Sequence, residues 1–143
     1  MMAPADGSGA GTNGAPFEWT MDAPLRILAV DNEPTITLSL RYVFGDSRYD
    51  LTCAESGAAA LANLDANPEP FDVIIVDQKM PNLSGVELVG AIRKRGLNGK
   101  IIVLSAHLSS EVRENYARMD VHDMLAKPFD IGELRSAVNR LAA

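Results

Sequence analysis

The chain is predicted to fold as an α/β domain built on a buried parallel sheet, and three observations predict it. From Leu25 onward, short apolar or β-branched runs alternate with amphipathic stretches in five successive units, the signature of repeated βα pairs. The third and fourth runs are almost uninterruptedly apolar, as strands covered on both faces must be. With 143 residues, 47% of them hydrophobic, the chain suits one domain of the commonest size and leaves little room for a second.

Residues 1–23 are rich in Gly, Ala, Pro, Ser and Asn and show neither helical nor strand periodicity. They cannot bury enough apolar surface to offset the entropy of ordering, so they are expected to form a disordered tail ahead of a domain at 24–143. Phe17, Trp19 and Met21 lie scattered in that tail and are read as solvated rather than docked. No Lys or Arg precedes Arg26, and Gly and Pro interrupt every apolar run there, so no export signal is indicated.

The first strand is Leu25–Val30. Pro34 suits the first turn of the helix that follows, which stacks Ile36, Leu40, Val43 and Phe44 on one face. Tyr49–Ala54 is the second strand, and Ser56 stands where it would cap the Ala-rich helix after it. Residues 71–76 make the third strand, and the next helix places Val86, Leu88, Val89 and Ile92 on its covering face. Residues 101–104 make the fourth strand and Asp123–Ala126 a short fifth. The last helix opens with Asp130 and Glu133 at capping-box spacing and turns Ile131, Leu134, Val138 and Leu141 inward.

Composition excludes several functions. Lys plus Arg number 13 against 19 Asp plus Glu, a net charge of −6, which leaves no basic surplus for direct nucleic-acid binding. No apolar run approaches the roughly 18–20 residues of a membrane span. The single cysteine, Cys53, cannot form an internal disulfide. A soluble cytoplasmic protein is expected.

Right-handed crossovers place every βα loop at the carboxyl edge of the sheet, where open α/β folds bind ligands. The residues ending the strands there are Asp31-Asn32-Glu33, then Asp77, then Ser105-Ala106, then Lys127-Pro128-Phe129. Asp31 and Asp77 held close would repel each other, and a hard divalent cation such as Mg²⁺ would relieve the repulsion. Lys127 is a point charge suited to a phosphoryl oxygen, and the Ser105 hydroxyl can donate to another. Singly, Asp31 reads as a helix cap, Asp77 as a turn residue before Pro81, and Lys127 as a surface charge. Their joint placement points instead to a pocket for a phosphorylated carboxylate.

Four motifs follow the right strands in the right order: Val30-Asp31-Asn32-Glu33-Pro34; Val73-Ile74-Ile75-Val76-Asp77-Gln78-Lys79-Met80-Pro81 with Gly85; Leu104-Ser105-Ala106; and Leu125-Ala126-Lys127-Pro128-Phe129. Over Leu25 to about Leu141 the chain closely resembles the receiver domain of two-component response regulators. The resemblance implies a doubly wound, flavodoxin-like sheet of five parallel strands in the order 2-1-3-4-5 with helices on both faces. It implies that Asp77 accepts a phosphoryl group from a phosphohistidine on a sensor histidine kinase or a histidine phosphotransfer protein. Asp31 and the main-chain carbonyl of Lys79 would help to hold Mg²⁺, and Lys127 would stabilise the transferring charge. Phosphorylation would then draw Ser105 to the new oxygens and shift the face formed by the fourth helix, fifth strand and fifth helix. Such a domain is a switch that assists its own phosphorylation and dephosphorylation, not a turnover enzyme. Pro128 matches the family's cis proline.

Several positions depart from the family pattern or modulate it. Asn32 stands where a second acidic ligand is usual, so weaker Mg²⁺ binding is expected, with the amide coordinating weakly or through water. Glu33 belongs to the following position and is not promoted to ligand. Met124 replaces an aromatic rotor, so the output face is expected to repack differently or Met124 simply fills the core. Lys79 is a candidate modulator of hydrolytic access, and His107 a candidate pH-sensitive group at the pocket rim. His122 reads as an ordinary turn residue. Asp120 falls where the family tends to have Gly, so a left-handed backbone is expected there.

A pseudo-receiver, an interaction domain with the fold but weak or no phosphorylation, is the alternative that Asn32 and Met124 suggest. A haloacid-dehalogenase-like phosphatase fits poorly, since that family wants an acid two residues past its nucleophile and Asp77 is followed by Gln78 and Lys79. The downstream target, whether another protein, an attached output domain or a second copy in a homodimer, stays open. No output domain is expected after Leu141-Ala142-Ala143 within this chain, as a stand-alone receiver or as part of a longer regulator.

Overall fold

The computed structural model describes residues 23–67 and 69–142. Almost all of the tail expected at residues 1–23, including Phe17, Trp19 and Met21, lies outside the described residues. Five strands and five helices alternate: β1 (Leu25–Val30), α1 (Pro34–Val43), β2 (Tyr49–Ala54), α2 (Gly57–Ala66), β3 (Val73–Asp77), α3 (Gly85–Lys94), β4 (Lys100–Ser105), α4 (Ser110–Ala117), β5 (Asp123–Ala126) and α5 (Ile131–Ala142). All pairings are parallel and the order is β2-β1-β3-β4-β5, as the family resemblance implies. β3 is the central strand, and every one of its five residues is buried.

Alternation along the strands sends side chains to two separate cores. Ile27, Ala29, Val73, Ile75, Ile102 and Leu104 meet α1 and α5 through Leu40, Val43, Leu134 and Val138. Leu28, Val30, Ile74, Val76, Ile101 and Val103 meet the opposite layer through Ala60, Leu88, Val89, Ile92 and Tyr116. Two sequence expectations are corrected. The third strand starts at Val73 rather than at 71: Phe71 precedes it and buries its ring under the Arg26 guanidinium, 4.6 Å away. Ile131, expected inward, is 46% exposed in the first turn of α5.

Helix ends follow local chemistry. Pro34 opens α1, Ser56 Oγ accepts from Ala59 N at 3.0 Å, and Asp130 Oδ1 accepts from Glu133 N at 3.0 Å. Ser84 and Glu87 form a full capping box at α3 that the sequence reading passed over. Asp120 adopts φ +56°, the left-handed conformation expected of it. No helix among the described residues is long and apolar enough to cross a membrane.

Candidate functional site

The strand ends at the carboxyl edge build one cluster, and backbone hydrogen bonds running past the strands hold it in place. Asp31 N donates to Ala54 O at 3.1 Å, Gln78 N to Leu104 O at 2.9 Å, and Lys127 N to Ser105 O at 2.8 Å. These bonds extend the ladder by one residue on β1, β3 and β5, which fixes where Asp31, Asp77 and Lys127 start from. The Lys127–Pro128 bond is cis.

Asp31 and Asp77 are buried, 1% and 3% exposed. Lys127 Nζ lies 3.0 Å from Asp31 Oδ2, 3.1 Å from Asp77 Oδ1 and 3.1 Å from Glu33 Oε1. The other oxygen of Asp31 accepts from Glu33 N at 2.9 Å, and Asp77 Oδ1 also accepts from Lys79 N at 3.4 Å. Burial, and then the charge of Asp31, push the Asp77 carboxyl above the ordinary aspartate range, against the ammonium of Lys127 and the Lys79 N–H. Burial works against the Lys127 ammonium, but hydrogen bonds to Asp31 and Asp77 outweigh it, so the amine is held charged. Lys127 is the one cation shared by three carboxylates, so removing it would leave the two buried aspartates unpaired, a loss that typically costs about 3–5 kcal/mol, whereas removing Asp77 leaves the ammonium with two partners.

The remaining predicted site residues fall less centrally. Ser105 is buried, but its hydroxyl is engaged within its own loop, donating to His107 O at 2.8 Å and accepting from His107 N at 3.1 Å. His107 thus touches Ser105 through its backbone, while its residue as a whole is exposed. Asn32 and Lys79 are exposed beside the cluster. Met124 is half-buried and packs into the core on the α2–α4 side, in keeping with a gap-filling role.

Three features escaped the sequence reading. Glu33, set aside there, brings its carboxylate into the cluster: ligand atoms of Asp31, Glu33 and Asp77 lie within 4.8 Å of one another. His122 is no idle turn residue, since its N donates to Ile101 O at 2.9 Å and its Nδ1 accepts from Ile101 N at 3.2 Å, fastening β5 to β4. Tyr116, on a helix too polar to advertise a core residue, is fully buried and its hydroxyl donates to Gln78 Oε1, directly after Asp77.

Chemically, the cluster offers a hard oxygen donor set of the kind that suits a small divalent cation. It also offers one fixed ammonium for an anion's oxygen and one buried carboxylate at the mouth of the strand. The family model for the response regulator receiver domain matches residues 27–139. The transcriptional regulatory protein KdpE of Mycobacterium tuberculosis is 35% identical over 121 residues, 82% of this chain and 52% of that protein. Sporulation initiation phosphotransferase F of Bacillus subtilis is 29% identical over 115 residues, 80% of this chain and 91% of that protein. The response regulator TrrA of Thermotoga maritima, solved in complex with Mg²⁺ and beryllofluoride, superposes with a TM-score of 0.70 at 34% identity, covering 81% of this chain and 97% of that one. The chain spans about half the length of the mycobacterial relatives it matches.

Proposed function

The chain belongs to the response regulator receiver family, and from that premise we propose that Asp77 is a phosphoacceptor that switches partner binding. A carboxylate oxygen of Asp77 attacks the phosphorus of a phosphohistidine on a sensor histidine kinase or a phosphotransfer protein. The P–N bond breaks, the imidazole leaves, and an acyl phosphate forms. The observation that carries this reading is the placement of the buried Asp77 carboxylate at the end of the central strand, with Lys127 Nζ 3.1 Å away. Lys127 orients the incoming group and neutralises charge spreading onto its oxygens, so catalysis is positioning and electrostatics.

The donor set fits Mg²⁺: Asp31 and Asp77 supply buried carboxylate oxygens and Glu33 brings a third within reach, and by the family resemblance the Lys79 carbonyl, with the Asn32 amide weakly or through water, would add to them. Bound there, Mg²⁺ would screen the carboxylates from each other and from the phosphoryl oxygens. Asp31 keeps its place through its bonds to Glu33 N and Lys127. After transfer, Ser105 leaves His107 for a phosphoryl oxygen, and the loop after β4 with the face of α4, β5 and α5 changes its preferred state. Lys79, exposed two residues past Asp77, would modulate access by hydrolytic water, and His107, exposed two residues past Ser105, would make a step pH-sensitive. The switch acts in the cytoplasm on a downstream protein or output domain.

Incubation with Mg²⁺ and acetyl phosphate should add one acid-stable, base-labile phosphoryl group on Asp77, read by intact mass and peptide mapping, and Asp77→Asn should abolish it. Beryllofluoride titration covers an adduct that decays too fast. Absence of both at high Mg²⁺ refutes the phosphoacceptor reading in favour of a pseudo-receiver interaction domain.

A further inference from the structure

α4 buries a single residue, Tyr116, so the seating of this helix on the sheet depends on one phenol ring with partial help from Val112. The ring reaches far enough inward for its hydroxyl to donate to Gln78 Oε1. Gln78 is held on two further sides, its N–H donating to Leu104 O at 2.9 Å and its carbonyl accepting from Gly85 N at 2.9 Å. The fit around the hydroxyl is close: a Cβ placed on Gly85 would stand 2.5 Å from Tyr116 Oη and 2.9 Å from the Asp77 carbonyl. The phenol is pushed above its ordinary range by burial and, next, by the negative charge of Asp77, so it senses the charge at that carboxylate.

We infer that Tyr116 is a positioning residue that couples occupancy at Asp77 to the seating of α4 through Gln78. This rests on the phosphoacceptor reading. Gln78 directly follows Asp77 and is clasped by β4, α3 and α4 at once, so it cannot follow a shift in the Asp77–Lys79 backbone without straining one clasp. The bonds to Leu104 and Gly85 are main-chain bonds within the rigid sheet and its capped helix. The Tyr116 bond is the one made by side chains alone, and it yields first. α4 has no second buried residue to hold it when that bond changes. Met124, which packs in the same layer, has no hydrogen-bonding group able to take this part.

The test uses the whole chain with Mg²⁺ and beryllofluoride. The chain has three tyrosines, so ring-labelled tyrosine ¹³C NMR resolves them individually. In the wild type, the Tyr116 ring-carbon signal should move on beryllofluoride binding while that of Tyr42, which is 82% exposed, stays. Amide exchange over Ser110–Ala117 should change by about fivefold, the factor a single hydrogen bond of ordinary net strength sets. Tyr116→Phe keeps the ring and removes the hydroxyl, so it should bind beryllofluoride like the wild type yet lose most of the exchange response in α4. Gln78→Met removes the acceptor from the other side and should lose the same response, with the double variant losing no more than either. A full α4 response in both single variants, or an unmoved Tyr116 signal in the wild type, overturns the coupling. A wild type that binds no beryllofluoride overturns the phosphoacceptor reading and the coupling with it. Should Tyr116→Phe fail to fold, Gln78→Met decides alone.

Discussion

Two glycines in α3 should respond to the same substitution with opposite sign. At Gly85 an added Cβ would stand 2.5 Å from Tyr116 Oη, 2.8 Å from Gln78 Cα and 2.9 Å from Asp77 O, where unstrained contacts of carbon need about 3.5 Å. Two of those three atoms are main chain, so no rotamer change relieves the clash and the turn after β3 must move. Overpacking of this kind costs about 1–3 kcal/mol, offset by roughly 0.4–1 kcal/mol from the stiffer unfolded chain. Gly85→Ala is therefore expected to destabilise by about 1–2 kcal/mol. At Gly90, inside the helix, the nearest atom to a new Cβ is Met119 Sδ at 3.9 Å, an ordinary contact. Gly90→Ala should stabilise by about 0.5–1 kcal/mol through helix propensity. Urea unfolding reads both: with a slope of about 1–3 kcal/mol per molar, the two midpoints should lie on the order of 1 M apart on either side of the wild type. A Gly85→Ala variant that unfolds at or above the wild-type midpoint refutes the close-approach reasoning. Because the same turn carries Asp77, Gly85→Ala should also weaken beryllofluoride binding, which Gly90→Ala should leave unchanged.

Asp77→Asn should be more stable than the wild type near neutral pH. Burial and Asp31 raise the folded carboxyl above its ordinary 3.8, so the folded state holds that proton more tightly and stability falls as pH rises from 3.8 through the folded value. The neutral amide escapes this loss, so its advantage in unfolding midpoint should shrink toward pH 4, and a variant weaker than wild type at pH 7 would refute the sign. His122 behaves oppositely: burial, then Lys100 and Arg93, lower its value from 6.5, so stability should decline as pH falls below 6.5 toward the folded value, where the unfolded chain takes up the proton first. His122→Asn keeps an acceptor for Ile101 N and should flatten the slope, and an undiminished slope in that variant would show that the titrating group lies elsewhere. Asn32→Asp should tighten Mg²⁺ binding about tenfold, one added charge contact of roughly 1.4 kcal/mol. Calorimetric titration showing equal affinity would remove Asn32 from the site.

The parts of this molecule that were legible in its sequence are those set by local period and by topology. β3 reads as a central strand because all its residues are apolar up to Asp77, and the site reads from strand ends because parallel βα units share one functional edge. Lys127 and Asp31, far apart in the chain, were paired by that rule alone. What stayed hidden depends on side-chain reach across elements. Glu33 sits at the N-cap of α1 with no side-chain cap bond, which leaves its carboxylate free to turn toward Lys127, and nothing in Asp-Asn-Glu-Pro announces that. His107 and His122 look alike as lone loop histidines, yet only His122 lies beside a strand whose N–H it can accept from. Tyr116 stands in a mostly polar helix, where a single aromatic residue gives no periodic signal.

The charge pattern explains why this edge is a site and not merely the end of a sheet. Three carboxylates, two of them buried, face one ammonium. A structure selected only for stability would replace such a cluster by apolar residues, which in buried ion pairs is often neutral or favourable by about 1–4 kcal/mol. The surplus negative charge instead repels any anion, including a phosphoryl group, unless a second cation joins Lys127. On the proposed reading, acceptance of an anion at Asp77 would therefore depend on a cation held by Asp31 and its neighbours. Burial, and then the charge of Asp31, make the ionised form of Asp77 costly to hold. On the phosphoacceptor reading proposed above, conversion of Asp77 to an acyl phosphate would move charge outward from the strand end toward Lys127. That displacement would supply the driving force of the proposed switch.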